Sequence, residues 1–160
     1  MEDCTISVYV DGSCNTENKI GGWAAVVLIS DKEIVLSGCE KNTTNNRMEL
    51  ISVIKAIEYV EENMLSFSKL IIYSDSQYIC RLPMRIDKIL KNNFITKSGK
   101  QLVNSDLLRI IFGYFNKLEI NLIKVKAHQK EVNGQKKLNR FVDMLSRKIV
   151  RNETTMLNNK

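Results

Sequence analysis

The 160-residue chain contains one histidine and one proline, and its four cysteines, at positions 4, 14, 39 and 80, form no C-x-x-C pair. A structural zinc site needs closely spaced cysteines and histidines, and structural disulfides belong to oxidising compartments. We therefore expect neither zinc nor disulfides. We expect the thiols to pack as small apolar side chains in a reducing compartment.

Long apolar runs are also missing. No segment approaches the roughly 18 apolar residues that a membrane-spanning helix requires. The N-terminus MEDCTISVYV has neither the basic lead nor the apolar stretch of a secretory signal. The hydrophobic fraction of 44% is ordinary, and a chain of this length forms about one domain. We predict one intracellular, cytoplasmic domain that contacts no membrane.

Each half of the chain is short of charge of one sign. Residues 1–80 contain 6 Lys and Arg against 12 Asp and Glu, and residues 81–160 contain 18 against 6, so the halves carry −6 and +12 and sum to +6. Most of the basic excess lies in 81–100 and 124–151. A basic face favours a nucleic-acid partner, because counterion release drives that binding. A basic surface kept for solubility stays an alternative.

The hydrophobic pattern switches between strand and helix periods, with no repeat and no linker. TISVYV, AAVVLI and EIVLSGC predict three strands of an antiparallel meander. A helix follows over 43–60, then the apolar strand KLIIYSD, and then a helix from SQY that bends or ends at Pro83. A basic helical stretch to about Asn93, a helix in NSDLLRIIFGYFNKL, a strand in INLIKVKAH and a helix in LNRFVDMLSRKIV complete an α/β order.

Four acidic residues stand near the predicted strand ends and helices. Each has an ordinary explanation: a turn for Asp11, an N-cap for Asp75, the helix dipole for Glu49 and a surface salt bridge for Asp143. Together they predict a cluster at the strand ends, where ligands of such sheets bind. Converging carboxylates repel one another, so a divalent cation is the economical explanation. Oxygen ligands favour Mg²⁺ or Mn²⁺. Two such metal ions about 4 Å apart are a recurrent arrangement in enzymes that catalyse displacement at phosphorus.

Six motifs in this order resemble the type 1 ribonuclease H family, the endonucleases that cut the RNA strand of an RNA/DNA hybrid. They are DGSC at 11–14, GGW at 21–23, TTNNRMEL at 43–50, SDSQY at 74–78, VKAH at 125–128 and NRFVD at 139–143. The resemblance implies a ribonuclease H domain over 1–152 and a short polar tail over 153–160. It also implies an α/β fold with a five-stranded mixed sheet, three antiparallel strands and then two parallel, flanked by helices.

The resemblance also implies the chemistry. Two Mg²⁺ ions, or Mn²⁺, would bind the family's four acids, which fall on Asp11, Glu49, Asp75 and Asp143. One ion would activate water and the other would stabilise the leaving 3′-oxygen, leaving 5′-phosphate and 3′-hydroxyl ends. Glu49 would also contact a ribose 2′-hydroxyl. His128 corresponds to a mobile-loop histidine that aids proton transfer or product release, and an ordinary exposed loop residue is the alternative.

Substrate contacts are carried over in the same way. The 2′-hydroxyls would be recognised by Gly12, Ser13, Asn45 and Gln77. A DNA phosphate would bind between Thr44 and Asn104, although Thr44 and Asn45 would serve equally as helix caps and Gln77 as a first-turn residue. The basic segment 81–100 resembles the family's substrate-binding handle. In that segment Arg85, Lys88, Lys91 and Phe94 would contact the substrate.

The chain departs from the family's pattern in four places. NTENKIGG replaces a Gly-Pro-rich turn that contacts the nucleic acid in the family, so Glu17 or Asn18 would occupy that position. Asn42 stands where an arginine often precedes TTNN. The handle lacks tryptophans, which leaves Ile86, Leu90 and Phe94 as its apolar contacts. The segment between His128 and Asp143 is longer than usual, so it would add phosphate contacts or slow the histidine's approach.

Two alternative functions follow from the same residues. A metal-dependent nuclease of the same superfold acting on DNA would use similar acids, but it has no need of elements that recognise 2′-hydroxyls. A non-catalytic nucleic-acid-binding module would keep the basic face, but it has no need of all four acids. No protein partner is implied, and a monomer is expected.

Overall fold

The computed structural model describes residues 3–64, 66–126 and 134–160. In that part of the chain, strands and helices follow the α/β order that the hydrophobic pattern predicts. The elements are β1 Thr5–Asn15, β2 Ile20–Ile29, β3 Lys32–Lys41, α1 Asn45–Asn63, β4 Lys69–Ser74, α2 Gln77–Cys80, α3 Leu82–Lys91, α4 Ser105–Lys117, β5 Ile120–Lys124 and α5 Gly134–Asn158.

The strands form one sheet with the order β3-β2-β1-β4-β5. β1, β2 and β3 pair antiparallel, whereas β4 is parallel to β1 and β5 is parallel to β4. Parallel neighbours need a crossover, which α1 provides between β3 and β4 and α2 to α4 provide between β4 and β5. The predicted mixed sheet, with three antiparallel strands and then two parallel ones, is confirmed.

Side chains of β1 are buried on both faces of the sheet. Val8 and Val10 belong to the larger apolar cluster, which includes residues of α1 and α4. Tyr9 points to the opposite face, as strand alternation requires, and joins Tyr73 and Val142 of α5 in a smaller cluster. The two tyrosine rings stack with centroids 4.6 Å apart. β1 is therefore a central strand held between α1 and α5.

Helix ends differ in detail from the sequence pattern. Pro83 lies in the first turn of α3, where its missing N–H is harmless, and the short helix α2 ends before it. The segment 153–160, predicted as a polar tail, is helical through Asn158. Among the described residues, no helix combines the length and the apolar character that crossing a bilayer demands.

Candidate active site

Two aspartates lie side by side where the parallel pairing of β1 with β4 ends. Asp75 follows β4, whereas Asp11 lies within β1, whose pairing with β2 continues to Asn15, so the predicted turn at Asp11 is wrong. Tyr9 of β1 pairs with Tyr73 of β4, so Asp11 and Asp75, each two residues further on, emerge next to each other. Glu49 reaches the same point from near the start of α1. Ligand oxygens of the three carboxyls all lie within 4.8 Å of one another. Three of the four predicted acids therefore converge.

Asp75 does not cap the helix that follows it. Ser76 is the N-cap of α2, and its hydroxyl accepts a hydrogen bond from the backbone nitrogen of Ile79 at 3.3 Å. The N-cap explanation of Asp75 is therefore wrong, because the neighbouring serine takes that role.

Gly12 allows α1 to approach β1 closely enough for Glu49 to reach Asp11 and Asp75. A Cβ atom at position 12 would lie 2.5 Å from the backbone nitrogen of Glu49 and 2.8 Å from Cβ of Met48. Such distances exclude any side chain without a shift of the helix. The glycine of the DGS motif is thus a packing requirement of the acid cluster.

The cluster places ionisable groups where water cannot fully solvate them. Asp11 and Glu49 are each only 4% exposed. Burial and then the nearby Asp75 raise the pKa of Asp11 from 3.8 to about 7, although the backbone N–H of Gly12 donates to its Oδ1 at 2.8 Å. Burial and then Asp11 raise the pKa of Glu49 well above its ordinary value.

One buried carboxyl oxygen of this cluster has no hydrogen-bond partner, namely Oε2 of Glu49. A buried, unpaired carboxylate oxygen is costly, and a divalent cation would satisfy it. Three carboxyl groups and no nitrogen or sulfur ligand match the preference of hard cations such as Mg²⁺ and Mn²⁺. The residues present therefore fit a divalent cation.

Asp143 faces the same cavity from α5 but lies outside the group of three. Its Oδ1 accepts a hydrogen bond from Nε of Arg147, one helical turn further on, at 2.9 Å. The predicted surface salt bridge is therefore present, beside the acids. The cavity has a volume of about 290 Å³ and is lined by Asp11, Gly12, Ser13, Asn45, Glu49, Asp75, Asp143 and Arg147.

The position of Asp143 depends on how α5 packs against the sheet. Val142 is fully buried in the smaller cluster. Gly22 of the GGW motif lies against the helix, and a Cβ atom there would be 2.7 Å from the carbonyl oxygen of Ser146. The GGW motif thus allows the close approach that brings Asp143 to the cavity.

The residues predicted to recognise substrate lie in three places. The first is the acid cavity, whose lining includes Gly12, Ser13 and Asn45. The second is the start of α1, where Oγ1 of Thr44 caps the helix by accepting from the backbone nitrogen of Arg47 at 3.2 Å. Asn104 is the N-cap residue of α4 but makes no side-chain capping bond. Its Oδ1 instead accepts from Nη1 of Arg47 at 3.3 Å.

Arg47 therefore links the two residues of the predicted phosphate pocket, although the sequence pattern did not identify it. Its guanidinium also forms two hydrogen bonds to Asp106, at 3.0 and 2.6 Å. No sequence signal distinguishes Arg47, because the partners of its guanidinium, Asn104 and Asp106, lie more than fifty residues away at the start of α4.

The third place is a separate cleft of about 340 Å³, lined by Gln77, Tyr78, Arg81 and Arg85. The guanidinium of Arg85 lies over the ring of Tyr78, 5.8 Å from its centroid. Arg81 is not among the predicted contacts, although its four-residue spacing from Arg85 could have indicated it. Lys88 and Lys91 are exposed on the adjoining α3.

Phe94 lies in the core and not on the surface, where substrate contact was predicted. It is 5% exposed, and its ring centroid lies 5.9 Å from that of Phe112. The guanidinium of Arg109 covers the ring at 4.0 Å. Leu90, at 48% exposure, is the more accessible apolar residue of the handle. Residues 127–133, which include His128 and the first part of the longer segment after it, lie outside the described residues.

The RNase H family model matches residues 3–151. The chain belongs to the RNase H family. A ribonuclease H of Acetivibrio thermocellus is 35% identical over 125 residues, which are 77% of this chain and 82% of that protein. A ribonuclease H of Caldicellulosiruptor saccharolyticus is 31% identical over 148 residues, 91% of this chain and 96% of that protein. The predicted family and the predicted enzyme class, a ribonuclease H, are confirmed.

Solved structures of RNase H proteins share the fold. LC9-RNase H1, described as a type 1 RNase H with the type 2 active-site motif, has a TM-score of 0.78 at 22% identity and covers 95% of this chain and 74% of its own. LC11-RNase H1, solved in complex with an RNA/DNA hybrid, has a TM-score of 0.68 at 16% identity. The match covers 93% of this chain and 99% of LC11-RNase H1.

Proposed function

We propose that this RNase H hydrolyses the RNA strand of RNA/DNA hybrids with two divalent cations, leaving 5′-phosphate and 3′-hydroxyl ends. The observation that carries the proposal is the acid cluster, in which Asp11, Glu49 and Asp75 bring ligand oxygens within 4.8 Å. Membership of the family supports the reaction class. The hybrid bound to LC11-RNase H1 supports the substrate.

Asp11, Glu49, Asp75 and Asp143 would hold the cations, which are Mg²⁺ or alternatively Mn²⁺. When bound, the two ions supply an activated water and stabilise the leaving oxygen. The chain's own contribution is to fix the ligands: the β1–β4 register sets the two aspartates, and the contact at Gly12 sets Glu49. His128 would assist proton transfer or product release.

Hybrid recognition would use the three places described above. Gly12, Ser13 and Asn45 line the acid cavity and would contact 2′-hydroxyls near the cleaved bond. Gln77 would contact the RNA strand from the neighbouring cleft, beside Arg81 and Arg85. Thr44 and Asn104, joined by Arg47, would bind a phosphate of the DNA strand. Lys88 and Lys91 on α3 would contact phosphates further along the duplex.

The setting of the reaction is part of the proposal. Cys4 and Cys39 are exposed free thiols, and Cys14 and Cys80 are partly buried and also free. Such thiols suit a reducing, cytoplasmic compartment. We propose that the enzyme acts there as a monomer.

The test compares RNA/DNA, DNA/DNA and RNA/RNA duplexes of one sequence, each with Mg²⁺ and with EDTA. We expect Mg²⁺-dependent cleavage of the RNA strand of the hybrid alone. End-labelled products should accept a ligase donor at the 3′ end without phosphatase treatment, because that end carries a hydroxyl. Cleavage of duplex DNA would support the DNA nuclease alternative. Binding of the hybrid without cleavage would support the non-catalytic module.

A further inference from the structure

Arg147 is the one basic residue among the described residues that line the acid cavity, and the function proposed above does not use it. Its Nε donates to Oδ1 of Asp143 at 2.9 Å. The side chain of Arg147 is 57% exposed and that of Asp143 is 24% exposed. The pair therefore lies at the mouth of the cavity, between the buried acids and solvent.

The pair is a property of one helix. Residues four apart on a helix project from the same face, so Arg147 reaches Asp143 whatever the rest of the site does. The other three carboxyls converge on a single point without Asp143. The site is thus ready for one cation held by Asp11, Glu49 and Asp75, whereas the fourth carboxylate is already bound to a positive charge.

We propose that Arg147 is a positioning residue that holds Asp143 in the cation-free protein and competes with the cation that uses Asp143. This inference rests on the proposed two-cation function. A cation that binds Asp143 has to replace Nε at Oδ1 and has to tolerate the guanidinium nearby. Both effects lower the affinity of that cation, while the cation at the three converging acids is affected much less.

The experiment measures cation binding to the full chain without nucleic acid. Mn²⁺ is titrated into the metal-free protein, and free Mn²⁺ is measured by electron paramagnetic resonance for the wild type, Arg147→Gln, Arg147→Lys and Lys148→Gln. We expect Arg147→Gln to strengthen the weaker Mn²⁺ site about threefold to tenfold, as expected for a lost ion pair and a removed like charge. Arg147→Lys should change it much less. Lys148→Gln is the matched control, because it removes the same charge from the next residue without lining the cavity.

A second comparison separates local competition from a general change of charge. In an Asp143→Asn background the weaker site should be lost, and Arg147→Gln should then change Mn²⁺ binding less than twofold. An equal strengthening with and without Asp143, or an equal effect of Lys148→Gln, would overturn the proposal. If the wild type binds Mn²⁺ and cleaves the hybrid but Arg147→Gln binds Mn²⁺ no better, this inference alone fails. A wild type that neither binds Mn²⁺ nor cleaves the hybrid would overturn the proposed function with it.

Discussion

At the scale of the residue, Asp75 is where the catalytic and structural explanations differ most. Asp75→Asn keeps the shape of the side chain and removes its charge, and Ser76 still caps α2. We expect cleavage of the hybrid to fall by about 10³-fold or more, because a ligand to the cations is lost. Hybrid binding measured with Ca²⁺ should persist.

The measurement for Asp75→Asn is single-turnover cleavage, accompanied by a thermal unfolding curve. An intact thermal transition shows that the loss of rate is not a loss of fold. Near-normal cleavage by the folded variant would contradict the proposed role of the acid cluster.

Asp11 makes the stability of the metal-free protein depend on pH. Its pKa is raised in the folded state from 3.8 to about 7. Between these pH values the folded protein keeps a proton that the unfolded chain has released. The contribution of Asp11 to the free energy of unfolding is therefore full below about pH 4 and is lost as the pH rises through about 7. Asp11→Asn should remove this loss. With EDTA at pH 8 we expect the variant to exceed the wild type by about 2–4 kcal/mol in free energy of unfolding.

Urea unfolding at pH 4, 6 and 8 checks this expectation. The two proteins should differ least at pH 4, because the unfolded aspartate, with a pKa of 3.8, is still partly protonated there and little of the pH-dependent loss has occurred. Parallel pH profiles of the two proteins would show that the carboxyl of Asp11 is not perturbed.

Residues of the site differ in how well the sequence predicts them. Asp75 is predictable because a residue that follows a buried strand has a fixed place at the sheet edge, whereas Asp11 lies within β1 and reaches that edge because β4, its parallel neighbour, ends beside it. Arg47 was missed because its side-chain partners are distant in the sequence, whereas the four-residue spacing of Arg147 from Asp143 could have indicated their pair. Phe94 was misplaced because an aromatic residue in a basic segment has the same local pattern whether it faces solvent or core.

At the scale of the element, α3 carries the basic residues proposed to bind substrate. Replacing Arg85, Lys88 and Lys91 of α3, together with Lys97 in the basic segment after it, with alanine should raise KM for a long hybrid more than it lowers kcat. Such phosphate contacts bind the ground state and the transition state alike. The log-log dependence of binding on salt should flatten by about 0.7–0.9 for each phosphate-binding side chain that is removed.

The control for α3 is the pair Lys32→Ala and Lys160→Ala. Lys32 begins β3 and pairs with Ile29 at the end of β2. That end of β2 lies beside the start of β1 and away from Asp11. Removing these two charges should leave KM nearly unchanged. Equal KM values for the α3 variant and the wild type would show that the helix does not touch substrate.

The contact between β2 and α5 predicts a second effect at this scale. Gly22→Ala places a methyl group 2.7 Å from the carbonyl oxygen of Ser146, so α5 has to move. We expect a loss of about 1–3 kcal/mol in free energy of unfolding. Gly113→Ala is the matched control, because a Cβ atom there meets nothing within 4 Å in helix α4. That variant should be about 0.4–1 kcal/mol more stable.

Denaturant unfolding of the two glycine variants decides this case. Equal stability of Gly22→Ala and the wild type would mean that α5 adapts without strain. In that event the GGW motif would not be the feature that brings Asp143 to the cavity.

Sequence patterns predict the elements better than their ends. The type of most elements follows from the hydrophobic pattern: α1 and α4 bury one face at helical spacing, and β2 and β4 are continuous apolar runs of strand length. The end of α5 does not, because residues after Val150 are largely polar and the helix continues through Asn158 without burying a regular stripe. Pro83 likewise allows either a bend or a new start, and the described structure has the new start.

At the scale of the whole molecule, hydrophobic period alone cannot say which strands pair. Paired residues of β1 and β4, such as Thr5 and Lys69, lie 64 positions apart in the chain, and only the resemblance to ribonuclease H predicts their pairing. The charge asymmetry is easier to interpret. The acidic half supplies Asp11, Glu49 and Asp75, and the basic half supplies α3 and the helix that carries Asp143.

The burial of Asp11 and Glu49 has a consequence for how such a molecule can diverge. Carboxyls with raised pKa values make the metal-free fold less stable as the pH rises, so we expect an amide at either position to give a more stable protein that lacks the proposed activity. A duplicated copy released from selection for cleavage would gain stability from such substitutions. Inactive descendants that still bind nucleic acid through the basic half are therefore an accessible outcome, and their first changes should fall in the acid cluster.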